Sequence, residues 1–155
     1  MTFEEKVKSM TFAQILRAMV DGLKAEHVRV QMDAFGIDIN GVCFGCAATN
    51  AICQISRHVF TLLEIELLQN RAEALLCDYY FLDMFEEALD CLRKNDFSKI
   101  GYDYYSFFCG IEQPIEEEVR IMQPLPPMTN KNWRRVLPLW DAACTEIENL
   151  KKITS

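Results

Sequence analysis

The sequence predicts a mainly α-helical fold with one small β-hairpin near residues 28–44. Three observations carry this: apolar residues recur at spacings of three and four over most of the chain, Thr-led capping boxes precede several of these runs, and one short stretch alternates with period two before Asn40-Gly41. At 155 residues the chain suits a single compact, bundle-like domain over residues 1–155. A chain of that size buries roughly 70% of the surface its unfolded form exposes, so it needs no disulfide or metal staple. Half of the residues are hydrophobic and a quarter charged, which excludes a disordered or purely solvating segment as the main state.

Thr2 with Glu5, and Thr11 with Gln14, fit the capping box, in which the Thr hydroxyl takes the N3 amide and the Glu or Gln side chain returns to the cap's own amide. Two helix starts follow. After the second, Phe12, Ile15, Leu16, Met19, Val20 and Leu23 share one face of a helix over residues 12–25. Val28, Val30 and Met32 then alternate with Arg29, Gln31 and Asp33, the pattern of a strand. Asn40-Gly41 supplies the positive φ values of a tight turn, and Val42-Cys43-Phe44 is the segment expected to return along that strand.

Gly45 ends the β region, and residues 46–57 become helical again, with Cys46, Ala47, Asn50, Cys53 and Gln54 near one stripe. Thr61 and Glu64 offer a third capping box, continued by Leu62, Ile65, Leu68 and Ala72. The helix expected over 73–94 is strongly two-faced: Phe81, Met84, Phe85, Ala88 and Leu92 fall together, while Asp83, Glu86, Glu87 and Asp90 fall opposite them. Prolines at 114, 124, 126 and 127 leave room for only a short helix around 115–122. A last helix is expected over 132–153. Trp133, Val136, Leu137, Trp140, Ala143, Cys144, Ile147 and Leu150 form its inner side, and Pro138 is placed to kink it.

Charge is unevenly spread. Residues 72–119 hold twelve carboxylates against Arg93, Lys94 and Lys99, a net −9, whereas residues 1–71 carry −1 and residues 120–155 carry +3. A negative field of this kind attracts a cationic partner and repels nucleic-acid phosphate. The N-terminus has acids where a secretory signal has bases, and no apolar run approaches the ~18 residues of a membrane span, so a cytoplasmic protein without direct nucleic-acid or membrane contact is expected.

Seven cysteines, an odd number, lie partly within helical apolar patterns, as at Cys77, Cys91 and Cys144, and are expected to be reduced thiols packed as small hydrophobes. Cys43 and Cys46 form a C-x-x-C, with Cys53 and His58 following within twelve residues. Thiolates and an imidazole at such spacing are candidates for a zinc shell, and Cys46 at a helix start is a candidate redox thiol. Against this, a structural zinc site usually brings a second close pair, and a thioredoxin-like site needs alternating strands and helices; neither is present. His27 between a helix and a strand reads as a solvated or capping residue. The chain lacks a Gly-rich phosphate loop, a G-x-S-x-G elbow and an H-E-x-x-H.

These features point to an acidic protein-binding module with no catalytic residues, metal or cofactor. Asp83, Glu86, Glu87 and Asp90, with Tyr102, Tyr104 and Tyr105, are the candidate contacts to a basic protein, because aromatic anchors dominate interface energetics and charge steers encounter. An inhibitor or immunity-type protein that masks the basic surface of a toxin or nuclease is one concrete form. The alternative is a metal- or thiol-dependent protein centred on Cys43, Cys46 and Cys53.

Overall fold

Six helices and three short strands make up the described residues of the computed structural model, which are 2–59, 61, 63–64, 79–96 and 114–154. In chain order these are α1 (Phe3–Lys8), α2 (Phe12–Ala25), β1 (Arg29–Val30), β2 (Ile37–Ile39), β3 (Val42–Gly45), α3 (Ala47–Ser56), α4 (Tyr79–Arg93), α5 (Glu116–Met122) and α6 (Trp133–Thr154). The mainly helical fold with a small β element is as the sequence predicts.

Both N-terminal capping boxes form. The Thr2 hydroxyl accepts from the Glu5 amide at 3.1 Å and the Glu5 carboxylate from the Thr2 amide at 3.2 Å; Thr11 and Gln14 do the same at 3.2 and 2.9 Å. They start α1 and α2 where the pattern predicts, and all six apolar positions of the α2 stripe are buried. At Thr61 the hydroxyl accepts from the Glu64 amide at 3.2 Å. Most of the helix expected beyond it, and residues 73–78 of the next one, lie outside the described residues.

The β region corrects the expected pairing. Asn40 and Gly41, at φ of 54° and 80°, make the predicted two-residue turn, but they join β2 to β3, with Ile39 opposite Val42 and Ile37 opposite Phe44. The segment after Val28 instead runs parallel to β3 on its other side, Arg29 opposite Phe44 and Val30 opposite Gly45, giving the order β1-β3-β2. The cause is local turn geometry. A two-residue turn pairs the residues that flank it, which are 39 and 42. β1 is fixed from elsewhere: its neighbour Val28 donates its amide to the buried Asn50 side chain of α3 at 3.1 Å.

One hydrophobic cluster connects all six helices, with Phe12, Leu16, Met19, Ile52, Phe85 and Trp140 among its fully buried members. α2 and α3 approach closely at Gly22, where a Cβ would meet the Asn50 carbonyl oxygen at 2.5 Å. α4 buries Phe81, Phe85, Ala88 and Leu92 as predicted, with Leu82, Leu89 and Cys91 broadening the apolar face and Met84 partly covered. The Phe85 ring meets Phe3 edge-on at 5.3 Å. In α6 the predicted inner side from Trp133 to Ile147 is buried, and the helix runs uninterrupted through Pro138. Arg17 fastens α6 to α2, reaching Asp141 at 2.6 Å and Glu148 at 2.7 Å. Among the described residues no helix is long and apolar enough to cross a membrane.

Candidate functional site

A cleft of about 380 Å³ opens where the start of α3 faces the outer side of α4. Its first wall is the loop Met32–Phe35, its second is Cys46–Ala48, and its third is formed by Glu86, Glu87, Asp90, Arg93 and Lys94 of α4. The loop is held by side chains from distant parts of the chain. The Thr49 hydroxyl donates to the Phe35 carbonyl, and the Met32 amide donates to the Asn130 side chain at 2.6 Å. The Asp33 carboxylate accepts from Gln31 at 2.7 Å and Asn130 at 3.3 Å, and these bonds keep its carboxyl below the usual range. Gly45 lets the strand turn tightly into α3, since a Cβ there would sit 2.9 Å from both Thr49 and Val28.

On α4 the carboxylates divide into two kinds. Asp90 bonds Arg93 at 2.7 Å and Lys94 at 2.9 Å. Burial opposes its charge, but the hydrogen bonds from Lys94 and Arg93 outweigh that and hold its carboxyl below the ordinary value. Arg93 is itself buried and donates to the Met128 carbonyl at 2.5 Å, which anchors the loop before α6. Both cations at this end of the cleft are therefore committed. Asp83 and Glu87 are exposed, and neither has an ion pair or hydrogen bond among the described residues.

Glu86 also has none there, yet it is half-buried. Its carboxyl is pushed up to about 7, first by burial and then by the charges of Asp83, Asp90 and Glu87. The four predicted α4 carboxylates thus share one region, but Glu86 turns into the cleft and Asp90 is already neutralised. Tyr102, Tyr104 and Tyr105 lie outside the described residues.

The thiols sit in surroundings that favour the neutral form. Burial raises Cys46, with the backbone and hydroxyl of Thr49 pulling the other way and Glu86 adding to the rise. Burial also raises Cys43, helped by Asp38, and takes Cys144 up to about 12. Cys46 precedes α3 and His58 follows it, so the ten residues of that helix place about 15 Å between them. His58 bonds Glu64 at 2.6 Å, and among the described residues no group of three His, Cys, Asp or Glu side chains is disposed to hold a metal. His27 bonds Gln54 of α3 at 2.7 Å, a bridge between elements.

Sequence reasoning missed Asn50, Arg93 and Asn130 as the residues that shape the cleft. Asn50 had a signal: an amide inside an apolar stripe requires partners, and it finds the Val28 amide and the Cys46 carbonyl, each at 3.1 Å. Asn130 had none, because its role depends on a contact ninety-eight residues away in the chain. No protein-family model, curated protein or solved structure matches the chain.

Proposed function

We propose that the chain is an acidic protein-binding module that receives cationic side chains of a basic partner on the α4 wall of the cleft. The observation that carries this is the contrast in charge pairing. Asp141, Glu148, Glu4, Glu26 and Asp90 each meet a Lys or Arg. Among the described residues, carboxylates without an ion pair, such as Asp38 and Glu146, occur on other elements, while Asp83, Glu86 and Glu87 gather within two turns of one helix with no ion pair among the described residues. Like charges at helical spacing destabilise a helix modestly. A partner's ammonium or guanidinium groups would relieve that repulsion, and the field of the cluster would steer their approach. Binding without catalysis accounts for the cluster, and an inhibitor or immunity-type protein covering the basic surface of a toxin or nuclease is its concrete form.

The test is association rate against ionic strength, using a partner recovered by pull-down. Replacing Asp83, Glu86 and Glu87 together by Asn, Gln and Gln should slow association at low salt by about tenfold and flatten its salt dependence. Asp90 stays in place, because removing it would strand the buried Arg93. An unchanged low-salt rate would take α4 out of the interface, and a wild-type rate indifferent to salt would refute electrostatic steering.

A further inference from the structure

We infer that Glu86 is a proton-operated latch on the seam between α4 and the start of α3: protonated, its side chain rests in the cleft, and ionised, it draws water in and loosens the seam. The geometry supplies both halves. Glu86 lines the cleft opposite Cys46, Ala47 and Ala48, half-buried and without a hydrogen bond or ion pair among the described residues. A neutral carboxyl tolerates such a place far better than a carboxylate does.

The charged and titratable groups around it all leave the ionised form unrelieved. From its own helix come Asp83, Glu87 and Asp90, and Asp90 has drawn Arg93 and Lys94 to itself. Cys46 faces it from α3, its thiol held neutral by burial. Asp33 adds a carboxylate from the loop wall. The loss of a proton to solvent therefore creates a charge that nothing described in the cleft balances.

The sign of the effect follows from linkage. A carboxyl raised in the folded state, from 4.5 to about 7, favours folding while it holds its proton. That contribution is complete below the unfolded value and is lost as pH rises through about 7. The consequence for binding rests on the basic-partner reading above: an incoming cation would favour the ionised form, so capture would release a proton and strengthen with pH. The latch itself needs no partner.

The experiment uses the free protein. A carboxyl-carbon NMR titration should show one glutamate, absent in Glu86→Gln, titrating about two pH units above the ordinary glutamates. Hydrogen exchange at the Asn50 amide, which donates to the Cys46 carbonyl at 3.2 Å, corrected for intrinsic rates, should accelerate by about tenfold from pH 5.5 to 8 in the wild type and stay level in Glu86→Gln. Glu87→Gln serves as a second variant, and should keep the pH response with its midpoint moved slightly down. If every carboxyl titrates below pH 5.5, or if wild type and Glu86→Gln respond alike, the latch is refuted. Because no partner is present, that result leaves the basic-partner reading intact, and failure to recover a basic partner does not touch the titration.

Discussion

Gly22 sets how near α2 and α3 can come. Its missing side chain leaves space that a Cβ would fill at 2.5 Å from the Asn50 carbonyl oxygen and 3.0 Å from the Ala51 nitrogen, and both obstacles are backbone, which cannot swing aside as a side chain can. The same Asn50 holds the Val28 amide and its own helix's first carbonyl, so a shift at this crossing passes on to β1 and the second wall of the cleft. Alanine is the better helix former by about 1 kcal/mol, and at an exposed site it would stabilise. Here overpacking outweighs that gain. Gly22→Ala should cost about 1 to 3 kcal/mol in urea melts, and a variant as stable as wild type would show that the two helices part freely. Gly22 carried no sequence signal, since a lone glycine in a helical pattern reads the same at an open surface as at a crossing.

Among the elements, those set by neighbouring residues were legible and those set by distant ones were not. Capping boxes act over three residues, and α1 and α2 begin where Thr2 and Thr11 indicate. Asn40-Gly41 likewise made its turn, while the partner of β1 depended on Asn50, Thr49 and the fold of the intervening loop. The apolar face of α4 was readable from its period, but Glu86 sits at the edge of that face. Whether an edge residue is covered depends on what packs beside it, and the start of α3 does. The hairpin raises a further point. β2 forms one edge of the sheet with Ile37, Asp38 and Ile39 all exposed, and no described strand pairs with its outer side. An edge with exposed isoleucines is a template for association, and a charge in its middle is a common guard. Asp38→Val should make the protein self-associate in a concentration-dependent way, visible by sedimentation or light scattering, with little loss of fold. A monomeric variant at high concentration would mean that this edge needs no guard.

For the molecule as a whole, the two kinds of carboxylate act on stability in opposite directions of pH. Asp33, Asp90 and Asp141 have folded carboxyls below their ordinary value of 3.8, and Glu64 and Glu117 lie below 4.5. For Asp141 the causes are hydrogen bonds from Lys24 and Arg17, the contacts that tie α6 to α2. A depressed carboxyl stabilises the fold above its unfolded value, and this contribution is lost as pH falls through the folded one. Glu86 does the reverse, losing its contribution as pH climbs from 4.5 through about 7. The net charge of −7 adds self-repulsion on the alkaline side, concentrated between residues 72 and 119. Stability should therefore peak at acidic pH, near about 5, and decline both toward pH 3 and toward pH 8. Urea midpoints taken across that range give the curve directly. Glu86→Gln should flatten the alkaline limb and leave the acid limb alone, and Asp141→Asn should lower the plateau and shrink the acid limb. A wild-type curve that rises steadily to pH 8 would show that paired carboxylates alone govern the fold, and that the cleft tolerates the charge of Glu86.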